Sequence, residues 1–402
     1  MDLKSGYPFW SVKNGLMYAF PRLEADLRCD VAVIGGGITG ALIADELARH
    51  GHDVAVVEQR DIGWGSTSAS TALLQYEIDT HLLDLALRFG EDAAVLAYRA
   101  CAEAIPMLRS VAADLRDVAF EPRDSLYYAS HRWHRGTLED EARLRARHGF
   151  EVEWLDRDAL QTRYGFEAPG AILSACAAVV DPYRMASRLF HRLLAGGTGV
   201  YDRTRIVDLS PGARQVTLRT EGGQRIVARH VVVAAGYASQ HWLSARVASN
   251  RSSYAMITDP IDDAHLGVLA HTLVWESARP YLYMRTTDDG RLLVGGEDDA
   301  VDVPARRDAR VQKKAARLRR KVKALFPRLA INPAFSWAGT FAETDDGLPF
   351  FGAHPQQGPR VHFAMAYGGN GITYSMLGAG LLRAAIERRR HPLASLFAFS
   401  RV

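Results

Sequence analysis

Asp30-Val31-Ala32-Val33-Ile34-Gly35-Gly36-Gly37-Ile38-Thr39-Gly40 fixes the architecture of this chain. The apolar run before the glycines reads as a buried parallel strand. Ala41 to Ala48, directly after them, has helical apolar spacing, and Asp53-Val54-Ala55-Val56-Val57 reads as a second strand ending on Glu58. Strand, glycine turn, helix, strand and terminal acid form the βαβ pattern that holds a dinucleotide. Gly35 serves the tight turn, Gly37 lets the backbone approach a pyrophosphate, and Gly40 lets the helix pack close to the strand. The leading N–H groups of the helix, with its dipole, attract phosphate. Glu58, roughly 20 residues on, accepts from a ribose 2′-OH and would repel a 2′-phosphate, which argues against NADP.

Bulk properties bound the remaining classes. A chain of 402 residues suits two domains. Its 48% hydrophobic and 24% charged content is that of an ordinary globular protein, and a net charge of +3 gives no sign of nucleic-acid binding. Cys29, Cys101 and Cys176 are few, odd in number and widely spaced. They read as buried free thiols in a reducing cytosol, without metal-ligand spacing. Residues 1–27 lack a signal pattern, and no apolar run approaches the roughly 20 residues of a membrane helix. The expected location is the cytoplasm, with no membrane span.

Taken in order, residues 1–27 form an aromatic arm (Tyr7, Phe9, Trp10, Tyr18, Phe20) that should pack on the body or on a partner subunit. Gly65-Ser66-Thr67-Ser68-Ala69-Ser70-Thr71 then runs into apolar Ala72-Leu73-Leu74. A hydroxyl-rich loop feeding a helix can donate to phosphate and flavin atoms. Helices are expected across 80–118, and Asp181-Pro182 starts another. His230 to Gly236 reads as a buried strand ending in small residues. Tyr281 to Arg285 and Arg291 to Gly296 read as a hairpin turned at Asp288-Asp289-Gly290. Ala305 to Leu325 reads as one basic, solvated helix with Val311, Ala315, Leu318, Val322 and Leu325 on its buried face. After the strand Val361 to Ala366, Tyr367-Gly368-Gly369-Asn370-Gly371-Ile372-Thr373 opens a long apolar helix, a second place where helix-start N–H groups face a ligand.

Four segments, Gly35 to Glu58, Gly65 to Leu74, Val231 to Gly236 and Gly339 to Thr373, resemble in type and order those of the FAD-dependent amine and amino-acid oxidases. That family includes D-amino acid oxidase, glycine oxidase and sarcosine oxidase. The resemblance implies an α/β fold with an α+β insert: a Rossmann-like FAD-binding domain and an inserted mixed-sheet substrate domain. The expected division is 28–118, 165–240 and 331–402 for the first, and 119–164 and 241–330 for the second, after the 1–27 arm. It implies non-covalent FAD, since no cysteine follows Cys176. The ADP half would lie on Gly35, Gly37, Ile38, Thr39, Gly40, Glu58 and Gln59. Ser66, Thr67, Ser70 and Thr71 would follow the pyrophosphate and flavin, and Val207 would meet the adenine through its backbone. Ala235 and Gly236 would lie near the cofactor, and Gly369, Asn370, Gly371, Ile372 and Thr373 would meet the flavin's pyrimidine edge. The chemistry implied is hydride transfer from the carbon beside the substrate nitrogen to flavin N5, giving an imine that hydrolyses. It rests on orientation and names no firm catalytic residue.

The departures bear on substrate. Where glycine and D-amino acid oxidases carry an arginine for the substrate carboxylate, this chain has Phe341, and another family arginine falls near Gly369. The position resembling the oxygen-activating lysine of sarcosine oxidases is Leu293, and that of their carboxylate lysine is Thr373. An anchor can come instead from Tyr281, Tyr283 and Arg285, which alternation places on one strand face, with Tyr254 as a weaker candidate. Such a face suits an anionic or aromatic substrate. The expected function is oxidation of an amine or amino acid at a C–N bond. The alternatives are a C–O dehydrogenase acting on a hydroxy acid or glycerol-phosphate-like compound, and a non-catalytic FAD-binding subunit of a complex. The aromatic arm is the expected contact with a partner subunit or a second copy of the chain in a homo-oligomer.

Overall fold

The computed structural model describes residues 3–401. Two sheets organise them. The first has the parallel core Val361–Met365, Arg225–Val233, Leu27–Ile34, Val54–Val57 and Gly199–Tyr201, in that order, with Phe350–Ala353 antiparallel at one edge. Its central strands are buried on both faces, as the apolar run Val31–Ile34 predicts. The helices Ile38–Arg49, Pro182–Ala195 and Gly371–Ile386 form one layer against it. The Asp181-Pro182 start signal holds: the Asp181 carboxylate accepts from Arg184 N at 2.9 Å, capping the helix at Pro182.

The second sheet has ten strands. Its order is Lys4–Gly6, Pro333–Glu343, Ser249–Pro260, Arg291–Asp299, Leu282–Thr286, Thr272–Glu276, Glu121–Tyr128, Ala171–Val179 and Leu73–Gln75, with Val152–Leu155 also paired to Ala171–Val179. This sheet reaches past the boundaries expected from the sequence. Leu73–Gln75, Ala171–Val179 and Pro333–Glu343 fall in segments assigned above to the nucleotide domain, yet they pair only within the ten-stranded sheet. Chain connectivity misled the assignment, because strands far apart in sequence close this sheet.

The aromatic arm is part of the same sheet. Lys4–Gly6 pairs with Trp337–Gly339, and the helix Phe9–Asn14 buries Phe9 and Trp10 against Trp337, Ile257 and Leu293. Trp10 Nε1 donates to Ser70 O at 2.7 Å. The aromatics that raised a partner-subunit reading are therefore largely covered by this chain itself.

The basic segment is two helices, Pro304–Asp308 and Val311–Leu325. Val311, Ala315, Leu318 and Val322 are buried as the spacing predicts. Arg307 and Lys314 are buried too, against expectation. Arg307 donates to Ser5 Oγ at 2.6 Å and Lys4 O at 2.9 Å, clamping the arm, and Lys314 pairs with Asp299 at 3.4 Å. Their charges hold the helices to the sheet rather than facing water.

Candidate active site

A cavity of ≈ 710 Å³ runs between the two sheets. It is large among small-molecule sites, which span roughly 300–1,000 Å³. One end lies at the glycine turn after Leu27–Ile34, where the turn's conformation is forced. Gly35 has φ +126°, and a Cβ there would sit 2.3 Å from Ala234 O. Gly36, to which the sequence reading gave no role, is equally confined: its Cβ would meet Ile62 Cδ1 at 2.4 Å and Glu58 Cβ at 2.7 Å. Gly40 does not reach the cavity. Its Cβ would lie 1.9 Å from Gly35 O, so it acts by letting the helix seat against the turn.

Glu58 sits at the end of its strand as expected. Its carboxylate accepts from Gly36 N at 2.7 Å and from Arg60 N at 2.9 Å, while burial pushes its carboxyl up. Thr67 Oγ1 accepts from Ile38 N at 3.0 Å. Two of the N–H groups expected to meet phosphate are thus already satisfied within the protein. Gly37, between them, faces the cavity.

The other expected cofactor residues fall into place along the same cavity. Gly35, Ile38, Thr39 and Gln59 line its first end. Ser66, Thr67, Ser70 and Thr71 line the middle, and Val207, Ala235 and Gly236 another wall. Gly369, Asn370, Gly371 and Ile372 line it where the helix Gly371–Ile386 begins. Thr373 does not: it is buried, and its hydroxyl donates to Gln75 O at 3.0 Å. The Gly369 N–H donates to Asp79 Oδ2 at 2.8 Å, and the Asn370 side chain to Glu77 O. The late glycine loop is therefore tied to the extended segment 75–79, and only the helix start beyond it is left to face a ligand.

The far end is walled by the ten-stranded sheet. Tyr281, Tyr283, Tyr254 and Phe341 line it. Arg285 does not. Its Nε donates to Thr71 O at 2.7 Å and its Nη2 to Val180 O at 2.8 Å, beneath the Trp10 ring. Burial lowers its pKa to about 9. Alternation put it correctly on the face of the two tyrosines, but that face passes under the N-terminal arm before reaching Arg285. The Tyr254 hydroxyl is turned to Asp299 at 3.3 Å, so Tyr254 contributes wall rather than a free hydroxyl.

Sequence reasoning missed the polar groups of this end. Gln75, Glu77 and Asp79 line the cavity while Leu74, Tyr76 and Ile78 are buried behind them. That period-2 alternation was present in the sequence. Asp79 also accepts from Tyr281 OH at 3.0 Å. Asp298, Arg279 and Ser253 complete the wall. Ser253 Oγ and Tyr283 OH are 3.0 Å apart. Burial pushes the Tyr283 hydroxyl well up, so it stays protonated at neutral pH.

This architecture, a glycine turn and acid at one end of a long cavity and a polar pocket on a second sheet at the other, is that of a flavin-dependent oxidoreductase. Residues 30–385 match the family described as FAD dependent oxidoreductase, and the chain belongs to that family. It is an FAD-dependent enzyme of the amine and amino-acid oxidase group. Glycine oxidase of Geobacillus kaustophilus is 28% identical over 401 residues, covering 93% of this chain and 96% of that protein. Its crystal structure superposes with a TM-score of 0.76 over 94% of this chain and 99% of its own. Gamma-glutamylputrescine oxidoreductase of Escherichia coli is 26% identical over 384 residues, covering 92% of this chain and 87% of that protein. The structure of L-proline dehydrogenase from P. horikoshii shares the fold, with a TM-score of 0.78 at 17% identity over 93% of this chain and 97% of its own.

The residues fit the cofactor. The turn admits no side chain at Gly35 or Gly36, Gly37 opens on the cavity, and the Glu58 carboxylate stands beside it. All three cysteines are free, but only Cys101 is fully buried, Cys29 and Cys176 being half-buried on stretches of strand that are not fully covered. The described residues hold no cluster able to bind a metal ion. No helix among them is long and apolar enough to cross a membrane.

Proposed function

We propose that this enzyme oxidises a C–N bond of an amine or amino acid. The observation that carries the reading is the single cavity, which joins the glycine turn beside Glu58 to a pocket on the ten-stranded sheet. Bound FAD would accept a hydride at N5 from the carbon next to the substrate nitrogen. The substrate's C–H bond breaks, the nitrogen lone pair forms C=N, and water later adds to give a carbonyl compound and free amine.

The chain's part is to bind and orient. Glu58, through its remaining lone pairs, and Gln59 would hold the adenosine ribose, and Val207 would border the adenine. Gly37 and Thr39 offer N–H groups, and Ser66, Ser70 and Thr71 hydroxyl groups, along the pyrophosphate and flavin. The helix start at Gly371 and Ile372 faces the cavity and would set its positive dipole end against the charge that gathers on flavin reduction. Tyr281, Tyr283 and Phe341 position the substrate against the flavin and exclude water from it, the main contribution available to a reaction governed by orientation.

Anaerobic mixing of the purified yellow protein with amines, amino acids and hydroxy acids tests the proposal. Bleaching of the flavin by amines or amino acids is expected. Bleaching by hydroxy acids alone would overturn it.

A further inference from the structure

The pocket end of the cavity carries an unbalanced negative charge. Asp298, on Arg291–Asp299, lines it with one oxygen, Oδ1, shut off from solvent and without a hydrogen-bond partner. A buried carboxylate oxygen left in this way is costly unless a cation or donor meets it. The charged groups around Asp298 do not supply one. Asp79 and Glu343 carry the same sign and push its carboxyl further up, on top of the larger effect of burial. Glu343 is itself paired with Arg251. Arg279 lowers the Asp298 pKa, but its guanidinium lies 3.6 Å over the Tyr281 ring and donates to Asp79 O at 2.9 Å. Asp79 is satisfied by Gly369 N and Tyr281 OH. Glu77, on the same cavity, also leaves both carboxylate oxygens without a hydrogen bond, but Arg145 Nη1 lies 3.9 Å from it. The Ser253 hydroxyl reaches the Asp298 carboxyl, yet Oδ1 has neither a hydrogen bond nor an ion pair. The carboxyl titrates at about 6, so it is mainly ionised at neutral pH.

An α-amino acid would bring a carboxylate into this pocket beside Asp79, Asp298 and Glu343, and the position of the expected arginine is the apolar Phe341. An amine with a second charged nitrogen would bring the missing cation. The reacting nitrogen must be neutral when it yields the hydride. An alkylammonium further along the chain, with a pKa near 10 like that of lysine, stays charged and can form a charge-assisted hydrogen bond to Asp298. We propose that the substrate is an amine bearing a second cationic nitrogen, a diamine or a substituted diamine, and that Asp298 binds that distal cation. The assignment rests on the C–N oxidation reading and specifies its substrate class.

Two measurements on the FAD-loaded enzyme at pH 7.5 test it. The first needs no turnover. A diamine with fully methylated α-carbons has no hydrogen to lose, and its binding is read from the change in the flavin's visible spectrum. It should half-saturate at a concentration at least tenfold lower than the matched monoamine, and a dicarboxylate of equal length should not compete. The Asp298→Asn variant should lose that preference, and Asp298→Glu should keep part of it. The second measurement compares anaerobic flavin reduction by an oxidisable diamine and its monoamine. The same tenfold preference should appear in half-saturation, and vanish in Asp298→Asn. Equal binding of the two amines by the wild type, tighter binding of the dicarboxylate, or a preference that survives in Asp298→Asn overturns the assignment. The wild-type comparison stands even if a variant fails to fold. If the blocked diamine binds through Asp298 but no amine reduces the flavin, the C–N reading fails and the cation site stands. If amines reduce the flavin with no effect of the distal charge, the reverse holds.

Discussion

Replacing Asp298 by Asn should make the protein more stable, by an amount that depends on pH. The Asp298 carboxyl is raised from an ordinary value of 3.8 to about 6, chiefly by burial and then by Asp79, against the Ser253 hydrogen bond. An acid with a raised folded-state pKa holds its proton more tightly in the native than in the unfolded chain. Its charge therefore costs nothing below about pH 3.8, and the cost grows between 3.8 and 6 and is full above that. At 1.36 kcal/mol per pKa unit, the cost reaches about 3 kcal/mol at neutral pH as an upper bound. With an unfolding entropy of roughly 2.1 cal/mol/K per residue, a chain of 402 residues converts this to about 3–4 °C in melting temperature. Melting of wild type and Asp298→Asn, followed from pH 4 to 8 at equal flavin occupancy and one scan rate, should show no difference near pH 4. The variant should melt about 3–4 °C higher at pH 7.5. A variant that melts lower at pH 7.5, or a difference independent of pH, would refute an uncompensated carboxylate at this position. A bound diamine should shrink the difference, because it supplies the partner that Asp298 lacks.

Gly40→Ala should yield protein with little flavin, seen as a low ratio of visible to ultraviolet absorbance, because its Cβ would meet Gly35 O at 1.9 Å and displace the turn. Glu58→Gln should weaken FAD binding roughly 10- to 100-fold, the equivalent of a charge-assisted hydrogen bond; an unchanged dissociation constant would remove Glu58 from the ribose site. Arg285→Met strips the donors from Thr71 O and Val180 O. It should destabilise by about 2–4 kcal/mol and leave substrate half-saturation unchanged in the protein that folds; raised half-saturation with normal stability would return Arg285 to the pocket. Phe341→Arg, facing the cavity, should improve flavin reduction by amino acids and impair it by diamines, measured in the same anaerobic assay.

The nucleotide end of the site was legible because its parts are contiguous. Strand, Gly35 to Gly40, helix and Glu58 lie within one short segment, where local sterics and burial dictate both conformation and role. The pocket was less legible because remote segments decide what each face meets. Arg285 shares a face with Tyr281 and Tyr283, but Trp10, from the other end of the chain, covers it. Asp298 lay beyond alternation for a different reason. Glu297 has φ +57°, and the pairing of Ser252 with Asp299 and of Tyr254 with Gly296 requires a bulge, so face parity is lost just before Asp298. Asp79 could have been found: Gln75, Glu77 and Asp79 alternate with buried Leu74, Tyr76 and Ile78. The basic helix misled because Arg307 and Lys314 use their charge on the arm and on Asp299, contacts that no local pattern announces.

Loss of hydride from an amine to a flavin held between the two sheets is tested most directly by anaerobic single-turnover reduction of the flavin by an amine and by the same amine deuterated at the carbon next to nitrogen. Full bleaching of the flavin is expected, slowed several-fold by deuterium, with one carbonyl product and one free amine per flavin reduced. Flavin that stays oxidised with every amine, or that bleaches only with a hydroxy compound, would contradict it.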